Sequence, residues 1–180
     1  MEINWYEIIV QMIGVFGTVA GFSALQCNKH SHTLILKMTE EMFFGLQYLL
    51  LGGYTGAVLN GVGIFRNLIF TYYGKKNDQH ALKIARIVLA ILFAGLGLLS
   101  WEGAISVLII FAKVLSTCAY GTTNMKKMRL MLCVTSICWI CYNAYIGSIA
   151  GVLSDCGNLT SCVVGIIRYD ILKKEEKAKA

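Results

Sequence analysis

Proline is absent from this 180-residue chain, and only 14% of its residues carry a charge. Without proline, no helix here loses a backbone donor to an imino ring or is kinked by one. Charge this sparse excludes an ordinary water-soluble surface, for which roughly a quarter of residues would be charged. Polar sequence is scarce as well: the longest non-membrane piece is the tail after Tyr169, about 11 residues of mostly Lys, Glu and Ala, so no soluble domain is expected. The few histidines do not suggest a metal site, because His30 and His32 share a loop with Lys29 while His80 lies in another. There is no glycine-rich phosphate loop and no hydrolase nucleophile motif. The expectation is therefore a protein with no cofactor, no bound metal and no enzymatic activity.

What fills the chain is apolar sequence, 57% hydrophobic with a mean hydropathy of +0.64. Seven stretches stand out at approximately Tyr6–Leu25, Thr33–Leu51, Tyr54–Tyr72, Lys83–Ser100, Gly103–Thr122, Met128–Gly147 and Ile149–Tyr169. Each is about 18–21 residues, enough for a helix to cross a hydrocarbon core about 30 Å thick. Barrel strands would be shorter and would alternate strictly, which the run from Ile87 to Phe93 does not. The fold class expected is thus an all-α membrane protein of seven transmembrane helices. The second stretch is interrupted by Lys37, Glu40 and Glu41, and the seventh by Asp155, Asn158 and Arg168. The first stretch has neither a basic lead-in nor a small-residue cleavage pattern and reads as a retained helix.

Connector charge orients the bundle. Lys29, then Lys75, Lys76, Lys83 and Arg86, then Lys126, Lys127 and Arg129, and finally Lys173, Lys174, Lys177 and Lys179 fall on one side. The other side comprises the N-terminus with Glu2 and Glu7, Gly52-Gly53, Trp101-Glu102 and Gly147-Ser148, and holds no Lys or Arg. The positive-inside tendency puts the N-terminus outside and the C-terminus in the cytoplasm. The formal charge of +6 then describes a face turned toward anionic lipid, and nucleic acid is not an expected partner.

An internal repeat accompanies this topology. Shifting the sequence by 95 residues brings Glu7 onto Glu102, Gly52 onto Gly147, Gly56 onto Gly151 and Asn60 onto Asp155. The chain then divides into repeat one at about 6–72, a linker helix at about 83–100, repeat two at about 103–169 and a short tail over 171–180, all but the tail within one transmembrane domain over 1–170. An odd linker helix makes the two triplets parallel repeats about an axis normal to the membrane.

Polar residues inside spans are candidates for function because lipid is a poor solvent for them. Gln47, Asn60, Asn143 and Asp155 lie five or six residues from the uncharged end, and Asn158 about nine. Their shared depth predicts an outward-facing chamber with Asn60, Asp155 and Asn158 on its wall, Gln47 and Asn143 near its rim and Lys113 at its floor. The alternative is that these side chains bond across helices and only hold the bundle together. Arg66 shares a depth with Glu40 and Glu41, and the short Gly52-Gly53 turn makes their helices neighbours. An Arg–carboxylate pair is expected, a structural clamp, a cytoplasmic gate or a proton-coupling carboxylate. Lys37 is a candidate i,i+4 partner for Glu41. Lys113, in mid-span, either becomes neutral or finds an acid, and Asp155 is the candidate acid. Cys138-x-x-Cys141 lies mid-membrane, with no following helix N-terminus to activate a thiol, and reads as packing. Gly17-x-x-x-Gly21, Gly52-x-x-x-Gly56 and Gly147-x-x-x-Gly151 allow close helix approach or a homo-oligomer.

The string from Leu51 to Asn60 with Arg66-Asn67, the string from Trp139 to Ser148 and the string from Gly165 to Asp170 resemble the YgjV family of bacterial inner-membrane proteins over almost the whole chain. More distantly, the three-one-three arrangement resembles the SWEET and PQ-loop superfamily of small transporters. The resemblance implies a multi-pass inner-membrane location, the lipid bilayer as partner and a small polar solute as cargo. It further implies an Asn on each third helix of the repeat at the site, here Asn60 and either Asp155 or Asn158. The alternative is a non-transporting structural or partner-binding membrane protein of the same fold. The chain departs from the PQ-loop pattern, since Leu25-Gln26 and Tyr120-Gly121 stand where Pro-Gln pairs would be.

Overall fold

A computed structural model of the chain describes residues 5–26, 30–76, 78–122 and 125–168. Seven α-helices run in order through them: α1 Trp5–Gln26, α2 His30–Leu50, α3 Tyr54–Lys75, α4 Gln79–Leu99, α5 Ile105–Tyr120, α6 Met125–Ile146 and α7 Ile149–Gly165, after which the chain winds on in π form over 166–168. The N-terminal Glu2, Lys29 and the tail from Tyr169 onward, to which part of the charge argument refers, lie outside the described residues.

Helix ends follow local chemistry. Asp78 accepts a hydrogen bond from the Ala81 amide and starts α4 four residues earlier than hydropathy alone suggests, and Ser148, accepting from the Gly151 amide, caps α7 at the start that hydropathy gives. Gly52 and Gly147 close α2 and α6 with φ of 80° and 78°. In each case the backbone of the following residue bonds back across the turn, Gly53 to Tyr48 at 2.8 Å and Ser148 to Asn143 at 2.9 Å. Both are helix stops that glycine makes without a Cβ penalty. The starts of α2 and α6, and of α3 and α7, are also each 95 residues apart.

Four helices, over Trp5–Ala24, Gln79–Leu99, Lys126–Ile146 and Ile149–Arg168, are long and apolar enough to cross a membrane, and α5 is an apolar helix of 16 residues. The seventh stretch is thus apolar enough despite its polar interruptions. The second and third fall short, because α2 carries Lys37, Glu40 and Glu41 and α3 carries Asn60, Arg66 and Asn67 within their lengths. Those groups point inward: Glu40, Glu41, Asn60, Arg66 and Asn67 are all buried. The outer surface shows the reverse pattern, with Phe16, Val19, Phe65, Ile91, Leu98, Phe111 and Leu153 exposed. A bundle with ionic groups inside and large apolar side chains outside is built for lipid.

Six helices close a ring in the order α1, α2, α3, α5, α6, α7, with α4 outside it against α3 and α5. The α7–α1 seam is tied by Gln11 Nε2 donating to the Gly147 carbonyl at 2.8 Å and Thr18 Oγ1 to the Ala150 carbonyl at 3.1 Å. On the opposite side, Thr55 Oγ1 meets the Ser100 carbonyl and, at 3.1 Å, Ser106 Oγ. Glu102, in the α4–α5 connector, accepts from the Tyr54 and Thr55 amides at 2.7 and 2.9 Å, so a carboxylate sits on the positive end of α3. The apolar core, including Leu34, Phe44, Leu59, Phe70, Phe93 and Ile109, fills the space between these contacts.

Candidate functional site

Glu41 stands at the centre of the interior. Arg66 Nη2 and Lys113 Nζ both donate to Glu41 Oε1 at 2.7 Å, and Asn67 Nδ2 donates to Oε2 at 2.8 Å. Lys113 also donates to Asn60 Oδ1 at 2.7 Å. Arg66, 2% exposed, continues through Nε to Asn67 and through Nη1 to Ser116 Oγ, and its guanidinium lies 4.9 Å from the centre of the Tyr120 ring. Helices α2, α3 and α5 are thereby joined by one charged network. Gly63 makes room for it, since a Cβ there would come within 2.5 Å of the Glu41 carboxylate.

Of the two acids expected beside Arg66, Glu41 meets it. Glu40 lies instead 2.6 Å from Lys37, three residues back on the same helix, and rests against Gly21 of α1. The i,i+4 pairing of Lys37 with Glu41 does not form, because Glu41 is drawn toward α3 and α5 by three donors. The expected Lys113–Asp155 pair does not form either. Lys113 projects from α5 toward α2 and α3, whereas Asp155 Oδ2 accepts from Asn143 Nδ2 at 2.8 Å. Sequence position gave the depth of Lys113 but not the direction of its stem.

A cavity of about 260 Å³ lies between α2, α3, α5, α6 and α7. Asn60, Asp155, Asn158 and Lys113 all line it, as do Glu40, Glu41 and Arg66. Gln47 and Asn143 do not. Gln47 is fully buried between Gln11, to which it donates at 3.2 Å, and Ser148, from which it accepts at 2.9 Å. Asn143 is held by Asp155. These two side chains bond helix to helix.

The cavity does not face the end expected. Tyr120, the last residue of α5, and Met128, in the first turn of α6, both line it, so its wall reaches the end that bears the basic connectors. Toward the glycine-turn end it stops at Tyr48 and Trp139, whose rings stack 5.8 Å apart. Tyr142 meets both rings edge-on, and its hydroxyl accepts from the Gly56 amide at 3.1 Å. A Cβ at Gly53 or Gly56 would crowd that hydroxyl. Glycines expected to serve general packing thus seat particular polar groups, and a plug of three aromatic rings closes the end where the chamber was expected.

Several residues of the site escape sequence reasoning. Asn67 follows Arg66 directly, Ser116 and Thr117 lie one turn beyond Lys113, and Tyr48 and Trp139 are ordinary aromatic residues of apolar helices. The only signal is spacing: positions 113, 116 and 117, like 60 and 67, share a helical face. Cys138 is buried and Cys141 exposed, and both are free thiols, so they do not form a pair.

Neither a curated protein nor a solved structure matches the chain. A family model, however, matches residues 8–173. With ionic groups inside, apolar side chains outside and this match over nearly its whole length, the chain belongs to the Imp-YgjV family of bacterial inner membrane proteins.

Proposed function

We propose that the protein carries a small polar solute across the inner membrane and that the solute occupies the cavity between α2–α3 and α5–α7. The observation that supports this most is the cavity itself: an internal space in a lipid-embedded bundle, with charged and amide side chains on its wall. Membrane interiors rarely hold such groups except along pathways or as helix ties. At about 260 Å³ it is smaller than the roughly 300–1,000 Å³ pockets of drug-sized ligands, which favours a small cargo.

In this reading two three-helix repeats, α1–α3 and α5–α7, rock against each other across the linker α4. The shared 95-residue offset of helix starts and glycine stops supports the repeat. With the N-terminus outside, as the positive-inside tendency implies, the cavity reaches from the depth of Asn60 and Asp155 toward the cytoplasmic end, and the aromatic plug closes it on the outer side. No proline hinge serves the motion, since Leu25-Gln26 ends α1 and Gly121 caps α5.

A second reading, a structural or partner-binding protein, draws support from Gln47 and Asn143, which tie helices together. Uptake of radiolabelled amino acids, sugars and nucleosides into liposomes containing the purified protein separates the two. Transport predicts saturable uptake that falls when Asn158, a half-buried cavity residue, is changed to Ala. Folded protein that admits none of these solutes would support the structural reading.

A further inference from the structure

The charges around the cavity are unequally partnered. Lys37 and Glu40 balance each other at 2.6 Å. Arg66 and Lys113 share one carboxylate oxygen, that of Glu41, so their cluster carries a formal excess of one positive charge. Asp155, on α7, accepts from the neutral amide of Asn143, and among the described residues no cation lies within ion-pair distance of it. One wall of the cavity, from α3 and α5, is therefore electropositive, and another, from α7, is electronegative. Arg66 and Lys113 are buried and Asp155 is half-buried, and unpaired charge taken out of water is costly.

Unused hydrogen-bonding capacity is distributed in the same way. Lys113 has three N–H donors, and Glu41 and Asn60 occupy two. Arg66 has five, of which Asn67, Ser116, Thr117 and Glu41 engage four, the Thr117 bond the longest at 3.5 Å. Asp155 is bonded by the neutral amides of Asn143 and Asn158, on a group with room for several. The Trp139 face, 5.4 Å from Lys113 Nζ, shows that an aromatic surface in this cavity already accommodates an ammonium.

Resting on the transport reading above, we propose that the solute is a small zwitterion, its carboxylate received by Lys113 and Arg66 and its ammonium by Asp155. One molecule then supplies the missing anion on the first wall and the missing cation on the second. A neutral polyol supplies neither, and a singly charged solute leaves one wall uncompensated. The cavity volume admits a small amino acid or betaine and excludes a disaccharide.

Thermal unfolding of the detergent-solubilised wild-type protein tests this. The probes are glycine, β-alanine, 4-aminobutyrate, proline and glycine betaine, set against propionate, propylammonium, glycerol and glucose. At least one zwitterion is expected to raise Tm by several degrees in a saturable way, with propionate and propylammonium inert at the same concentration. Asp155→Asn, which keeps the side chain's shape, should weaken that zwitterion roughly tenfold or more, because a charged hydrogen bond is lost. Stabilisation by glycerol or glucose but by no zwitterion would overturn the zwitterion assignment while leaving the solute cavity standing. The same holds if propionate alone matches the best zwitterion. Silence from every compound would overturn the solute reading and this inference together. The wild-type comparison decides these outcomes even if Asp155→Asn does not fold.

Discussion

Glu41→Gln preserves the volume of the side chain and removes the charge that Arg66 and Lys113 share. Two buried cations then face each other without an anion, and the expected loss is about 3–5 kcal/mol, the range for breaking a buried ion pair. Thermal unfolding in detergent checks this; a variant as stable as wild type would show that the network is not buried as described. A second contrast on α3 needs no charge change. Gly61 has open space where a Cβ would stand, so Gly61→Ala should stabilise by about 0.5–1 kcal/mol through helix propensity. Two residues on, Gly63→Ala puts a methyl within 2.5 Å of the Glu41 carboxylate and should destabilise despite the same gain in propensity. If both substitutions behave alike, Glu41 does not rest on α3. At this scale the sequence discloses which residues share a depth, hence the meeting of Arg66 with a carboxylate. It does not disclose azimuth, and for that reason depth alone pairs Lys113 with Asp155 although its stem runs to Glu41 and Asn60.

At the level of elements, the helix stops are readable from sequence and their partners are not. Gly52 and Gly147 each occupy a left-handed conformation with nothing within 4 Å of the place a methyl would take. Gly52→Ala and Gly147→Ala should therefore carry only the conformational penalty, about 1–2 kcal/mol each, and by similar amounts. Denaturation of the two single variants measures it, and a large inequality would argue against equivalent roles for the two turns. The third connector, around Trp101-Glu102, reads in sequence as a plain turn. Its carboxylate in fact binds the first amides of α3, a helix 47 residues away in sequence at Thr55, and no local pattern signals a contact of that range. Conversely, α3 is legible as a span from its length even though its composition falls short, because its polar face is turned to other helices.

Across the whole molecule, ionic groups inside and apolar side chains outside agree with the composition, and the sidedness of the bundle is open to direct labelling. Single cysteines at Lys75 and Lys126 should react from the cytoplasmic side and those at Trp101 and Gly147 from the other, in a cysteine-free background. Reaction of positions 101 and 126 from one side would contradict the seven-span topology. The place of the cavity is the least legible feature. Polar residues near the glycine-turn end suggest a chamber there, but Gln47, Asn143 and Ser148 bond to neighbouring helices while Tyr48, Trp139 and Tyr142 fill the space between. The open volume lies on the other side of that plug, beside the network of Arg66, Lys113 and Glu41. The central claim is that a solute sits in this volume, and protection from labelling tests it most directly. Asn158→Cys, in the cysteine-free background, should react with a small water-soluble thiol reagent, and a saturating zwitterion from the melting series should slow that reaction. Leu153→Cys, from a side chain on the outer apolar surface, should stay unreactive in the membrane. An Asn158→Cys variant that is folded but never labelled, or is labelled at one rate whatever solute is present, would contradict the account.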